Sequence, residues 1–279
     1  PIGSTTKPFV YLVAVTQPDR WNLASMLDDS PISMRQPDGS MWTPQNDDKQ
    51  SHGQLPMVDA LAHSWNLASI RLGLAVGLPR IQSFLESFGL TDVNPSPSLL
   101  IGAIDLAPLQ VAHLYQYIAA DGHALPLVAV SGVLDGNGRT IKRYEVQGGN
   151  GEYQPAVRLT TWAMQQVALY GTAHSIGDSG LAWLHAAGKT GTSNDMRDSW
   201  FAGFTGDRLA VFWMGRDDNK PTTLFGATGG LRAWRDLFAK LPTRPLSARP
   251  GAGLEMAWIN PADGKRTEQQ CQGAQQVPV

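Results

Sequence analysis

Residues 185–215 read HAAGKTGTSNDMRDSWFAGFTGDRLAVFWMG, and this stretch decides the fold of the chain. It holds three runs of strand-forming residues, 185–192, 199–204 and 209–215, separated by only a few polar residues. Parallel strands need a crossover of about a dozen residues or more between them. These connections are too short for that, so the three runs are predicted to pair as an antiparallel meander.

Helical patterns lie on both sides of the meander in the sequence. Upstream, Thr6–Thr16 is apolar in all directions, which predicts a helix buried on every side. Downstream, Leu231–Leu241 is amphipathic and predicts a helix that covers the sheet. The remaining predicted elements are a long ordered loop over 16–55, helices over 57–63, 68–76, 79–88, 108–120 and 159–170, and a peripheral hairpin of 128–134 with 140–146. The predicted fold class is α+β, an antiparallel sheet flanked by helices.

Composition excludes several classes of protein. Lys and Arg number 22 against 24 Asp and Glu, a near balance that argues against a nucleic-acid-binding surface. Hydrophobic residues make up 42% of the 279 residues and charged residues 16%, which is enough for a large buried core. The longest apolar run, Phe9–Val15, is far shorter than the roughly 20 residues that cross a bilayer. A single cysteine, Cys271, excludes an intrachain disulfide, and no metal-ligand spacing is present.

The two ends of the chain also carry predictions. The first residue is Pro1 rather than Met, and no signal-like segment precedes the first helix, so we expect a fragment of a longer protein. The last stretch, 243–279, is rich in Pro and Gln. We therefore predict one catalytic domain over 1–242 and a C-terminal extension over 243–279.

Three short motifs carry the chemistry. They are Ser4-x-x-Lys7, Ser64-x-Asn66 and Lys189-Thr190-Gly191. At a helix start, the first spacing puts the hydroxyl and the amine on one face, and a buried lysine that loses its proton can act as base to the serine. Each of the first two motifs arises readily by chance, but all three in this order are expected only about 0.002 times in a chain of this composition.

A phosphate-binding loop is the other common setting for Gly188-Lys189-Thr190. That motif requires Gly at position 183, where this chain has Trp183. The preceding residues, 181–184, are predicted as strand rather than flexible loop. The sequence therefore argues against nucleotide binding.

With these motifs the chain resembles the penicillin-binding proteins and serine β-lactamases. Six segments resemble the transpeptidase half of a bifunctional (class A) penicillin-binding protein of the Gram-negative 1b type: 3–8, 35–48, 188–192, 198–203, 215–217 and 226–230. The resemblance extends to about Pro242 and implies the fold of that family. It also implies sheet strands, a glycosyltransferase domain and a membrane anchor before Ser4, none of which this chain contains.

The resemblance implies a serine D,D-transpeptidase that cross-links peptidoglycan stem peptides and is acylated by β-lactams. Ser4 would attack the carbonyl between the last two D-alanines, with Lys7 as its base and Ser64 relaying a proton to the leaving nitrogen. The implied substrate-binding residues are Asn66, Lys189, Thr190, Gly191 and Thr192, where Lys189 adds the positive charge that keeps Lys7 neutral and Gly191 leaves room for substrate along the strand. The backbone N–H groups of Ser4 and Thr192 would form the oxyanion hole. Trp65 is bulkier than the family pattern leads one to expect.

Two other functions remain as alternatives. A class A β-lactamase would carry a Glu-x-x-x-Asn loop between the second and third motifs, and none of Glu86, Glu145 and Glu152 is followed by Asn four residues later. A non-catalytic β-lactam sensor would acylate and then signal. For the full-length protein, the resemblance implies the periplasmic face of the bacterial inner membrane, cell-wall synthesis partners and an outer-membrane lipoprotein activator. No cofactor, metal or nucleic acid is expected.

Overall fold

The computed structural model of the chain describes residues 1–36, 38–145, 148–149 and 151–279. Pro37, within the segment 35–48, and Val146, at the end of the predicted hairpin, lie outside the described residues. The helices are α1 Lys7–Val15, α2 Met57–Ala62, α3 Asn66–Val76, α4 Leu78–Glu86, α5 Pro108–Ala119, α6 Gln154–Leu169 and α7 Gly230–Phe238. The strands are β1 Met26–Asp28, β2 Met34–Arg35, β3 Met41–Trp42, β4 Gln54–Pro56, β5 Gly132–Leu134, β6 Thr140–Arg143, β7 Ala187–Thr192, β8 Ser199–Phe204, β9 Leu209–Met214, β10 Met256–Ile259 and β11 Gln275–Pro278.

The predicted meander is confirmed as the three-stranded antiparallel sheet β7-β8-β9. Its central strand, β8, is buried along its whole length because both faces are covered. On one face Phe201 packs edge-on against Trp234 of α7, with ring centres 5.5 Å apart. On the other face the indole of Trp200 donates a hydrogen bond to the carbonyl of Pro1, 2.9 Å away. The sheet is therefore held between the C-terminal helix and the N-terminal segment.

The segment before β7 differs from its prediction. Residues 181–184, predicted as strand, form helical turns, Gly177–Leu181 and Ala182–Leu184. His185 then adopts a left-handed backbone conformation, with φ of 47°, and turns the chain into β7. The strand prediction failed because four mostly apolar residues fit a buried turn as well as a strand. Of the two features that disfavoured a phosphate-binding loop, only Trp183 in place of glycine remains.

The predicted buried helix is confirmed as α1, all of whose residues are buried. It begins after a 3₁₀ turn, Gly3–Thr6, and Pro8 lies in its first turn, where the missing N–H costs nothing. The hydroxyl of Tyr11 in α1 shares a 3.0 Å hydrogen bond with the hydroxyl of Ser69 in α3, so this buried polar group has a partner inside the protein. None of the helices in the described part of the chain has both the length and the apolar character required to cross a bilayer.

The other helices follow their predictions with shifted ends. Helix α6 begins at Gln154 rather than at 159, because Pro155 lies at its first turn and opens it earlier. The predicted long loop over 16–55 contains two short antiparallel pairs, β1 with β4 and β2 with β3. The peripheral hairpin is present as β5 and β6.

The C-terminal stretch folds back onto the rest of the chain. Strands β10 and β11 form an antiparallel hairpin whose Ile259 and Val277 are buried in the main hydrophobic core. Gln275 donates hydrogen bonds to Asp59 of α2, at 3.0 Å, and to the hydroxyl of Tyr170 after α6, at 2.9 Å. The domain boundary at 242 remains a prediction, but residues beyond it contribute to the core.

The burial of Val277 yields a test of this arrangement. Val277→Asp places a carboxylate without a partner in the core, and we expect it to lower the free energy of unfolding by about 3 kcal/mol. The matched control is Gln276→Asp, on the exposed face of the same strand, which should change stability little. Chemical denaturation followed by circular dichroism measures both variants. Equal stability of the two would mean that the hairpin does not belong to the folded core.

Candidate active site

Ser4 is presented at the start of α1 by a tight approach of two glycine backbones. Gly3 has a φ of +54° and donates its N–H to the carbonyl of Gly102, 3.1 Å away. A side chain on Gly102 would collide with the carbonyl of Gly3, so only glycine fits there. Ser4 is half-buried, whereas Lys7 is fully buried three residues later. The serine is thus partly accessible, whereas the lysine is enclosed.

The amine of Lys7 is held by the second motif. Its Nζ donates to the backbone carbonyl of Ser64 and to Oδ1 of Asn66, both at 2.6 Å. It also lies 3.1 Å from Oγ of Ser64. A neutral amine has two N–H bonds and one lone pair. The two short hydrogen bonds use both N–H groups and leave the lone pair to accept a proton.

Ser64 lies between two lysines. Nζ of Lys189, on β7, donates to Oγ of Ser64 at 2.8 Å and to the carbonyl of Thr190 at 3.1 Å. That hydroxyl therefore lies within hydrogen-bonding distance of both amines. The three side chains therefore form a continuous path along which a proton can move.

The two lysines cannot both be ammonium ions in this dry environment. Burial lowers the pKa of Lys7 to about 7, although the carboxylates of Asp47 and Asp29 oppose the shift. Burial and the neighbouring Lys7 lower the pKa of Lys189 well below its usual range. Both amines are therefore neutral more readily than an exposed lysine would be. Lys189 is the cation of the pair only in the state in which Lys7 is neutral.

The backbone at Ser64 is strained. This residue connects α2 to α3 with a φ of 63°, a conformation that costs a non-glycine residue on the order of 1–3 kcal/mol. The carbonyl of Ser64 accepts one of the two short hydrogen bonds from Lys7. The turn thus places both the hydroxyl and the carbonyl of Ser64 at the lysine.

Trp65 belongs to an aromatic stack. Its ring lies parallel to His52, with centres 3.6 Å apart, and near His63, with centres 5.6 Å apart. Burial lowers the pKa of His63, which favours the neutral ring in this stack. The bulk of Trp65 is therefore taken up by packing on the two histidines.

The threonines of β7 have partners that the sequence did not reveal. Oγ1 of Thr190 shares a 2.7 Å hydrogen bond with Thr172, which follows α6. Oγ1 of Thr192 accepts the N–H of Gly226 at 2.9 Å. Thr172 carries no recognisable motif, so no local signal could have identified it.

The packing around Gly191 leaves no room for a side chain, whereas its expected role beside the substrate stays a prediction. A Cβ at this position would lie 2.6 Å from the carbonyl oxygen of Ile2 and 2.8 Å from a methyl group of Thr5. Both distances are shorter than real contacts allow. The absence of a side chain at Gly191 lets β7 pack directly against the turn that carries Ser4.

Sequence reasoning also missed two buried polar side chains, Asp29 and Asn46, which are 0% and 3% exposed. Both come from the long loop and reach the second motif. Asn46 lies within one of the segments that carried the family resemblance, but nothing in its spacing indicated a partner. In the described part of the chain, no group of His, Cys, Asp or Glu side chains is arranged to hold a metal ion.

Comparisons with known proteins agree with this geometry. The family model for the penicillin binding protein transpeptidase domain matches residues 1–231. Penicillin-binding protein 1B of Escherichia coli (strain K12) is 39% identical over 253 residues, which cover 89% of this chain and 30% of the relative. Penicillin-binding protein 1B of Vibrio cholerae is 41% identical over 235 residues, 84% of this chain and 30% of the relative. The chain thus spans about a third or less of the length of these relatives.

A solved structure also has this fold. The crystal structure of penicillin-binding protein 1A from Haemophilus influenzae superimposes with a TM-score of 0.86 and 24% identity, covering 99% of this chain and 47% of that one. The predicted α+β fold and the predicted family are both confirmed. The chain belongs to the penicillin-binding protein transpeptidase domain family.

Proposed function

We propose that this chain is a serine D,D-transpeptidase that forms an acyl-enzyme on Ser4 and is inhibited by β-lactams through the same serine. The observation that carries the proposal is the convergence of Lys7 and Lys189 on the hydroxyl of Ser64. This arrangement supplies a proton acceptor within one helical turn of an accessible serine. Family membership supports the reaction class.

Acylation uses the path that the three side chains form. Oγ of Ser4 attacks the carbonyl carbon of the penultimate D-alanine, and its proton passes to the lone pair of Lys7. The backbone N–H groups of Ser4 and Thr192 stabilise the developing oxyanion, a contribution of about 3 kcal/mol per donor in comparable sites. Ser64 passes a proton from Lys7 to the leaving nitrogen, the C–N bond breaks, and D-alanine departs.

The substrate itself sets the protonation of the lysines. A stem peptide ends in a carboxylate, which the hydroxyls of Thr190 and Thr192 bind close to Lys189. That negative charge favours the shared proton on Lys189 rather than on Lys7. Lys7 is then neutral and able to act as a base at the moment the ester bond forms. Asn66 hydrogen-bonds the amide of the donor peptide.

The acyl-enzyme is resolved by an amine of a second stem peptide. The amine attacks the ester carbonyl and gives one proton to Lys7, which passes it to Oγ of Ser4 as the ester C–O bond breaks, and a cross-linking amide bond remains. No Glu-x-x-x-Asn motif lies between Ser64 and Lys189 to activate a hydrolytic water. A long-lived ester that waits for an amine is therefore favoured over hydrolysis.

The full-length protein extends this proposal. Because the relatives are about three times as long as the matched region, we assign the chain to a bifunctional peptidoglycan synthase with a glycosyltransferase domain. Such a protein is anchored at the periplasmic face of the inner membrane. It works with cell-wall synthesis partners and an outer-membrane lipoprotein activator.

Penicillin should form one stable covalent adduct, on Ser4. The β-lactam ring opens as Oγ of Ser4 attacks its carbonyl, so the protein gains the full mass of the antibiotic. Intact-protein and peptide mass spectrometry locate the adduct, and Ser4→Ala should abolish it. An adduct on another residue would contradict the assignment of the nucleophile. Turnover of penicillin at many cycles per minute would indicate a β-lactamase instead.

The two lysines should respond differently to substitution by arginine. Lys7→Arg should abolish acylation, since a guanidinium cannot act as a base near neutral pH. Lys189→Arg should only slow acylation, on the order of tenfold, because arginine still supplies a positive charge at the carboxylate site. Stopped-flow measurement with a chromogenic cephalosporin compares the two variants. Equal losses would argue against these separate roles.

Acylation should depend on pH through Lys7. Its pKa of about 7 means that the amine is protonated, and inactive as a base, below neutral pH. The second-order acylation rate constant should therefore fall about tenfold per pH unit on the acidic side of a limb centred near pH 7. Rates measured from pH 5 to pH 8.5 test this expectation. A flat profile would mean that Lys7 is not the base.

A further inference from the structure

Two buried side chains of the long loop, Asp29 and Asn46, hold the second motif from behind. We propose that Asp29 and Asn46 are positioning residues for the reaction: by capping the start of α3 they fix Asn66 and, through it, the amine of Lys7. This inference rests on the proposed function, because it concerns the geometry of the same acylation step.

The contacts at the start of α3 show how the loop holds the helix. Oδ1 of Asn46 accepts the N–H groups of Asn66, at 2.6 Å, and Leu67, at 3.2 Å. Oδ1 of Asp29 accepts the next N–H, that of Ala68, at 2.9 Å. The first N–H groups of a helix have no partner inside it, and the side chain before them normally caps them. Here that residue is Trp65, whose indole has no acceptor, so the loop provides the cap.

Asp29 and Asn46 also hold each other in one orientation. Nδ2 of Asn46 donates to Oδ2 of Asp29 at 2.6 Å and to the carbonyl of Gln50 at 2.8 Å. The same Oδ2 lies 2.8 Å from Nδ1 of His52 and accepts the backbone N–H of His52 at 3.1 Å. The amide of Asn46 can therefore present only its oxygen to the helix. The buried carboxylate has a donor on every side, which satisfies its charge.

The cap is connected to the base through Asn66. Nδ2 of Asn66 donates to the carbonyl of Gln45 at 2.8 Å, while its Oδ1 accepts from Lys7 at 2.6 Å. The loop thus holds both the backbone and the side chain of Asn66. A shift of the helix start would move the acceptor that holds Lys7. Misplacement of a reacting group by about 1 Å can cost on the order of 100-fold in rate.

Asp29 also influences Lys7 by its charge. The charged groups that face Lys7 are Lys189 from β7 and the carboxylates Asp29 and Asp47 from the loop, and both carboxylates raise the pKa of Lys7 against the effect of burial. Removing the charge of Asp29 should therefore lower that pKa further. A purely structural role of Asp29 would not shift the pH dependence of acylation.

The experiment compares Asp29→Asn and Asn46→Ala with a matched control, Asp28→Asn. The control makes the same chemical change one residue away, where the carboxylate bonds to Ser30 and pairs with Arg71 in the middle of α3 instead of capping the start of that helix. We expect each test variant to acylate with penicillin 10- to 100-fold more slowly than the wild type and the control to keep the wild-type rate. For Asp29→Asn, the acidic limb of the pH profile should also move to lower pH.

Two further measurements separate positioning from general loss of fold. In Asn46→Ala, hydrogen exchange at the amides of residues 66 and 67 should speed up, while amides in the middle of α3 stay protected. The double variant Asp29→Asn with Asn46→Asp restores one carboxylate and one amide in the pair, so it should acylate faster than Asp29→Asn alone. Both readouts remain informative if a single variant is less stable.

The outcomes distinguish this inference from the proposed function. If the wild type forms no adduct on Ser4, the proposed function fails and the positioning role fails with it. If the wild type reacts but the test variants keep its rate, its pH profile and its amide protection, only the positioning role is overturned. A loss of the same size in Asp28→Asn would also overturn it, because the effect would then not be specific to the cap.

Discussion

Exclusion of water from two lysine side chains is the constraint on which the site depends. An ammonium ion in a dry interior is costly unless it is paired, and two of them around one hydroxyl are costlier still. Lys7 and Lys189 are both fully buried and both reach Oγ of Ser64, and burial lowers the pKa of each amine. Each large element of the fold contributes to this condition: α1 carries one lysine, β7 the other, and the α2–α3 turn places the serine between them.

Left-handed backbone conformations occur at several places in the described part of the chain, and two of them lie at the candidate site. Gly3, next to Ser4, has a positive φ, and so does Ser64. Such conformations persist only where the surroundings fix them. Around Ser64 the fixing contacts are the hydrogen bonds from both lysines and the capped start of α3, and around Gly3 they are the contacts with Gly102 and Thr192. The rigid packing of helix and sheet thus holds the local strain.

The elements predicted correctly from the sequence are those whose signal is local. The meander follows from connections too short for a crossover, and the burial of α1 follows from its apolar residues on every face. The motif residues were likewise found by spacing. What escaped prediction depends on distant partners. The cap of α3 comes from Asp29 and Asn46, roughly 20 to 40 residues upstream, and the partner of Thr190 is Thr172. Similarly, β11 packs on the core although its sequence is polar and short.

The tight packing at Gly191 constrains how a protein of this kind can evolve under antibiotic pressure. A change at this position pushes β7 away from the turn that carries Ser4, because its side chain would meet Ile2 and Thr5. In the proposed reaction that serine is acylated by both drug and natural substrate, so the displacement weakens reaction with either. A substitution at Gly191 therefore does not lower reaction with the drug while sparing reaction with the natural substrate. Such changes must arise at positions along the cleft that are not enclosed by the protein's own backbone.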